Sequence, residues 1–95
     1  MTTKTRPYVH DLKIDSDSFA QLKRGRSPLQ LRKDDRDYQP GDYLLLREWV
    51  DGGYTGDTIV AYVMTVIRHG DRYGEMLAPG CVAMGVLPFR RPRSI

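Results

Sequence analysis

Basic residues concentrate in one segment of this 95-residue chain, between positions 23 and 36, where only two acids accompany them. Arginine binds phosphate or carboxylate groups with two parallel hydrogen bonds, and lysine adds a compact positive charge. A local excess of such groups attracts a polyanion. We therefore expect an anionic partner for this basic cluster, which consists of Lys23, Arg24, Arg26, Arg32, Lys33 and Arg36.

One acidic residue is suited to face these cations. Glu48 shares one face of a predicted strand with Leu44 and Leu46, so it points inward if the leucines do. A buried carboxylate requires a partner, and Arg32 and Arg36 are the candidates. Two interpretations stay open at this point. The residues form a structural ion pair, or they line a polar pocket that recognises a base or a sugar.

Aromatic residues lie near the charged segments along the chain. Tyr38 follows the basic cluster, and Trp49 and Tyr54 flank a predicted hairpin. Exposed aromatic rings beside arginines offer surfaces on which unpaired bases stack. The alternative is that Trp49 covers the end of the sheet.

Nucleophilic and metal chemistry have little support. The chain has two histidines, one cysteine and no glycine-framed serine, so no catalytic triad is recognisable. His10, His69 and Cys81 are far apart and lack the short spacing of metal ligands. We expect neither a metal nor another cofactor. His10 is predicted to be a hydrogen-bonded residue at the edge of the core.

Size and composition indicate one small globular domain. The chain has a mass of 10.9 kDa, 40% hydrophobic residues and a net charge of +3. A single cysteine excludes an internal disulfide, and neither a membrane span nor a secretory signal is recognisable, so we expect a cytoplasmic protein. The predicted divisions are a flexible N-terminus at 1–7, a domain at 8–88 and a basic tail at 89–95.

Short strands must position these residues. Alternating apolar residues and turn signals predict strands at 8–14, 29–32, 43–50, 58–68 and 81–87. A short helix is expected to begin at a cap formed by Ser16 or Asp17 and to end at Gly25. Gly85 suggests a bulge or a close backbone approach. These elements predict an α+β, mainly β fold: a pseudo-barrel of five to six mostly antiparallel strands with one or two short helices.

Several segments together point to a known family. The residues are His10 to Lys13, Leu31 to Tyr38, Gly41-Asp42, Leu44 to Trp49 and Gly53 to Gly56. In this order they resemble the DUF3850 family of bacteria and phages, which belongs to the ASCH group of the PUA-like superfamily. The resemblance covers about residues 8 to 88 and implies a pseudo-barrel with a helix near one opening.

The resemblance also implies a function. ASCH domains are proposed to bind RNA in a cleft beside that helix, and the matching positions here are Lys13, Gly25, Arg32, Asp35, Arg36 and Glu48. The typical loop has a lysine and a glutamate where this chain has Ser27 and Gln30. One branch of the superfamily resembles an amidohydrolase acting on acylated cytidine, and it relies on that lysine and on a threonine at the Gln30 position.

Three functions are therefore weighed. The leading hypothesis is a non-catalytic module that binds RNA or a nucleotide through the basic cluster, Lys13, Gly25, Asp35, Glu48, Trp49 and Tyr54. The second is a hydrolase of a modified, acylated nucleoside, with Glu48 as general acid or base. The third is a phage protein-interaction module that uses Trp49 and Tyr54. The sequence leaves the oligomeric state open.

Overall fold

The computed structural model describes residues 5–26, 29–72 and 74–89. Within them the strands form a single curled sheet in the order β1-β3-β4-β5-β2, with one α-helix beside it. The β1–β3 pair is parallel, whereas the other three pairs are antiparallel. This half-barrel confirms the predicted α+β, mainly β class. The elements are β1 (Val9–Asp15), α1 (Ser16–Lys23), β2 (Leu29–Lys33), β3 (Tyr43–Val50), β4 (Gly53–Arg68), a 3-10 turn (Gly74–Met76) and β5 (Cys81–Pro88).

The core lies on the concave face of the sheet and under the helix. In β1 every second residue is buried, as the alternation predicts, and Leu44 and Leu46 of β3 have no exposed surface. Phe19 and Leu22 of α1 complete this core because they lie three residues apart on one side of the helix. Burial of these side chains supplies the main stabilising contribution to the fold.

The helix begins one residue earlier than predicted. Asp15, not Ser16 or Asp17, is the N-cap, and its carboxylate accepts a hydrogen bond from the Ser18 backbone N–H at 3.0 Å. Asp15 keeps an extended backbone, with φ −69° and ψ 158°, because it is also the last residue of β1. This hydrogen bond, the largest influence, lowers the pKa of the Asp15 carboxyl.

The long strand β4 begins at Gly53, not at residue 58. Asp51 and Gly52 form a two-residue turn with φ angles of 50° and 85°, and Val50 pairs directly with Gly53. Positive φ at both central residues is typical of a type I′ turn, whose twist matches that of the flanking strands. The predicted connection at 51–56 is therefore only two residues long, and Trp49 and Tyr54 become paired neighbours across the ladder.

The predicted irregularity at Gly85 lies on the partner strand. The β4–β5 register shifts between Val63 and Thr65, and Thr65 pairs with Gly85. A Cβ on Gly85 would lie 3.5 Å from Thr65 Cβ, which is ordinary contact.

At the N-terminus, Arg6 donates hydrogen bonds to the backbone and carboxylate of Asp37. The predicted basic tail lies outside the described residues from position 90 onward. No helix in the described part of the chain is long and apolar enough to cross a bilayer. The cytoplasmic location stays a prediction.

Candidate functional site

Two arginine side chains bridge the open seam of the half-barrel. In the described sheet β1 and β2 are the edge strands, and each pairs on one side only. The guanidinium of Arg32 donates to the Lys13 carbonyl at 2.8 Å, and that of Arg36 donates to the Asp11 carbonyl at 2.9 Å. Residues 11 and 13 of β1 are two apart, so their carbonyls point to the same edge. The two guanidinium groups thus replace the hydrogen bonds that a neighbouring strand would make.

Arg32 is the more deeply held of the two arginines. It also donates to Gln30 Oε1 at 3.1 Å, and Gln30 is itself buried. Burial lowers the pKa of Arg32, and the positive charge of Arg36 acts in the same direction, while Tyr38 and Asp15 oppose it. Arg32 therefore serves first as a structural bridge, which its position in the basic cluster did not indicate.

A cavity of about 360 Å³ opens along the seam, and we call it the seam cavity. Four basic and two acidic residues line it, which gives a local charge of +2. One of the acids, Asp11, is paired with Arg47 at 3.6 Å, so the cavity favours an anion. Its lining consists of Asp11, Leu12, Lys13, Arg32, Lys33, Asp35, Arg36, Tyr38 and Tyr54.

A second cavity, of about 310 Å³, lies beside α1 and shares Lys13 and Arg32 with the first. Its remaining lining includes exposed Leu29 and Leu31, and its one acid is the helix cap Asp15. Two basic residues against one acid give a charge of +1. The seam cavity is therefore the better site for a phosphate group.

Tyr38 lines the seam cavity but is not the exposed ring that the sequence suggests. The residue is 1% exposed, and its ring packs against the His10 ring at 4.7 Å between centroids. Burial raises the pKa of the Tyr38 hydroxyl, opposed by Arg36 and reinforced by Asp35. Tyr38 therefore forms part of the cavity wall as a packed ring and not as an exposed stacking surface.

The structure divides the basic cluster into two groups. Arg32, Lys33 and Arg36 line the seam cavity, whereas the other three cations lie exposed at the end of α1 and do not. Gly25 ends the helix as predicted: its φ is 71°, and its N–H donates to the Leu22 carbonyl. Gly25 also lies outside the cavity lining. The helix-end group consists of Lys23, Arg24 and Arg26.

Glu48 does not join the arginines. Its carboxylate accepts a hydrogen bond from the Thr55 hydroxyl at 2.8 Å, and it is absent from the lining of the seam cavity. The β3–β4 register shifts between Arg47 and Trp49, so Glu48 lies at an irregularity of the ladder and is only partly buried. The β1–β3 register continues through Ile14 and Glu48, so Glu48 keeps the face of Leu46, as predicted. The predicted ion pair with Arg32 or Arg36 is wrong in this structure, because the carboxylate is bound by Thr55 of the neighbouring strand instead.

Cations and aromatic rings alternate beside the cavity. Lys13 Nζ lies 3.9 Å from the centroid of the Trp49 ring, and the Arg47 guanidinium lies 4.3 Å from that of Tyr54. The two rings meet edge to face at 4.8 Å. Trp49 is partly buried, whereas Tyr54 is 46% exposed and lines the cavity.

Sequence reasoning missed a buried His–Asp pair. Asp42 has no exposed surface, and its carboxylate is bound by His10 Nε2 at 2.9 Å and by the backbone N–H groups of Tyr8 and Gln39, each at 3.1 Å. Burial, the largest influence, raises the pKa of Asp42, but these hydrogen bonds and the charge of Arg6 together hold it below its usual value. Only the long-range β1–β3 pairing brings His10 near Asp42.

This pair fastens β1 to the turn before β3 and explains why His10 is a satisfied core residue, as predicted. Nothing in the described residues groups three or more His, Cys, Asp or Glu side chains around a possible metal position.

The fold and the site together define a small, mainly β half-barrel with a basic cavity at its seam. The family model for DUF3850, a domain of unknown function, matches residues 9–86, and the chain belongs to this family. The predicted resemblance to DUF3850 is confirmed, while the wider placement in the ASCH group stays a prediction.

A relative occurs in a phage. The chain is 36% identical over 63 residues to an uncharacterized 12.9 kDa protein in the GpA 3′ region of Escherichia phage P2. The match covers 66% of this chain but only 58% of that phage protein.

Proposed function

We propose that this protein is a non-catalytic module that binds RNA or a nucleotide, with a phosphate group held in the seam cavity. The observation that supports this most directly is the convergence of four basic residues, Lys13, Arg32, Lys33 and Arg36, on one cavity of about 360 Å³. Phosphate contacts supply most of the sequence-independent affinity of proteins for nucleic acids.

The cavity lining retains hydrogen-bond donors for such a group. Lys33 is exposed and takes part in no ion pair or side-chain hydrogen bond with another described residue. Arg36 gives one N–H to the Asp11 carbonyl, and a guanidinium has five, so others remain for a phosphate. Lys13 reaches the cavity while its ammonium rests on Trp49.

Asp35 adds a feature that suits RNA in particular. Its carboxylate is an acceptor on the cavity wall, beside the cations. A ribose 2′-hydroxyl can donate a hydrogen bond to such an acceptor, and this hydroxyl distinguishes RNA from DNA. An acceptor placed next to phosphate donors therefore favours a ribonucleotide over a deoxyribonucleotide.

The hydrolase alternative is less well supported by the geometry. A general acid or base must lie within hydrogen-bond reach of the bond that it acts on. Glu48, its predicted acid, is held by Thr55 outside the seam cavity. The phage interaction alternative differs in its salt dependence, because a contact with a protein partner would survive high salt.

A salt series with matched lysine variants tests the proposal. Affinity for a short single-stranded RNA is measured by fluorescence anisotropy for wild type, Lys33→Ala and Lys23→Ala. Each lost phosphate contact reduces the slope of log affinity against log salt by about 0.7. We expect that reduction for Lys33→Ala and a smaller one for Lys23→Ala, which removes the same charge at the helix end.

Three results would contradict the proposal: an affinity that does not change with salt, equal losses in the two variants, or no binding by wild type. Salt-independent capture of a protein would favour the interaction module. Turnover of acylated nucleosides that Glu48→Gln abolishes, with the fold intact, would favour the hydrolase.

A further inference from the structure

We infer that the nucleotide bound in the seam cavity presents an unpaired base, and that this base stacks on Tyr54. The inference rests on the proposed function and deepens it, because it names the recognised unit as a single-stranded nucleotide. It depends on which aromatic ring beside the cavity is still open to a ligand.

Trp49 is not that ring. It is partly buried, Lys13 covers it at 3.9 Å, and the Tyr54 ring meets it edge to face. A base would have to displace the Lys13 ammonium to reach the covered face. Trp49 therefore acts as a support for its two neighbours.

Tyr54 has the opposite properties. It is 46% exposed, it lines the seam cavity, and only one of its faces can be occupied by the Arg47 guanidinium, 4.3 Å from its centroid. The Trp49 ring contacts it at a steep angle, with the two centroids 4.8 Å apart. A half-exposed ring that lines a phosphate cavity suits a planar base whose own phosphate lies inside.

Stacking on Tyr54 requires a free base face. Bases within a duplex already stack on both sides, whereas every unpaired base offers a π-face regardless of its identity. The contact is therefore selective for single strands and tolerant of sequence. Because stacking involves no phosphate charge, its contribution to affinity is nearly independent of salt, which separates it from the contribution of the cations.

The contribution of the base to affinity can be measured apart from that of the phosphate by comparing two ligands of equal charge, one with a base and one without. Binding of adenosine 5′-monophosphate and of ribose 5-phosphate is measured by NMR titration of wild type, Tyr54→Phe and Tyr54→Leu, with thermal melting as a check on folding. We expect wild type to bind the nucleotide about 10-fold more tightly than the sugar phosphate, near the lower end of what one stacked base contributes.

Tyr54→Leu should lower the affinity for the nucleotide about 10-fold more than the affinity for ribose 5-phosphate, which removes the preference, whereas Tyr54→Phe should keep it. Equal binding of the two ligands by wild type would overturn the inference and leave the proposed function standing. A preference that survives Tyr54→Leu in a folded variant would also overturn it. If neither ligand nor single-stranded RNA binds wild type, the proposed function itself fails.

Discussion

Replacing Arg32 separates the structural role of the seam from the binding role of the cavity. Arg32→Ala removes a charged hydrogen bond to the Lys13 carbonyl at 2.8 Å and leaves the buried Gln30 amide oxygen without its partner. A hydrogen bond to a charged group contributes about 1.5–3 kcal/mol, and an unsatisfied buried acceptor costs about 1–3 kcal/mol. We expect the free energy of unfolding to fall by about 3–5 kcal/mol, a large part of the stability of a domain this small.

The assay is urea denaturation followed by circular dichroism. Lys33→Ala is the matched control, because Lys33 is the next residue on β2 and is exposed, and its loss should change the free energy of unfolding by less than about 0.5 kcal/mol. Arg32→Lys keeps the charge but lacks the fork that reaches two acceptors, so its free energy of unfolding should lie between those of wild type and Arg32→Ala. The reasoning is refuted if Arg32→Ala is as stable as wild type and instead loses RNA affinity as Lys33→Ala does.

Three further changes test the surrounding structure. Asp42→Asn leaves at least one buried donor facing another donor, so denaturant unfolding should show a loss of about 3–5 kcal/mol. The pKa of Asp42 in the folded protein is below its ordinary value of 3.8. The ionised carboxylate therefore stabilises the fold above pH 3.8, and this stabilisation is lost as the pH falls through the folded pKa. In Asp42→Asn this part of the acid dependence of the free energy of unfolding should disappear. Asp15→Ala removes the helix cap and should cost about 1 kcal/mol, measured by thermal melting at neutral pH. Gly74→Ala would place a Cβ 1.9 Å from the Arg68 carbonyl oxygen, so this variant should be the least stable of the three, or fail to fold in the same melting experiment.

The local pattern of apolar residues and glycines was sufficient to predict much of the fold. Alternation in β1 and β3 identifies the buried face because a strand has a two-residue period, and glycine marks the end of α1 because the chain there takes a positive φ. The beginning of β4 was missed because Gly53 and Gly56 look like turn residues. Gly56 does have a φ of 98° and lies at the register shift of the β3–β4 ladder, but the strand continues through it and pairing resumes at Tyr54.

The candidate site was predictable only in part. Arg32, Lys33, Asp35 and Arg36 do reach one cavity, because the charged segment leaves β2 beside the seam. Their hydrogen-bond partners were not predictable, since they depend on contacts across many residues.

Two residues illustrate this limit. Arg32 is satisfied by the carbonyl of Lys13, 19 positions earlier, and the Tyr38 ring packs against His10. Neither contact leaves a signal in local spacing. Glu48 shows a related limit: its alternation with Leu46 holds, but the register shift of β4 that brings Thr55 to its carboxylate is not visible in the sequence.

The central claim is that an anionic ligand occupies the seam between β1 and β2. The direct measurement is an NMR titration of the isotopically labelled protein with a short single-stranded RNA. We predict saturable shifts at the amides of Lys13, Lys33, Asp35, Arg36 and Tyr38, which weaken as salt is added. Shifts confined to residues 23–26 at the helix end, or no shifts at all, would contradict the account.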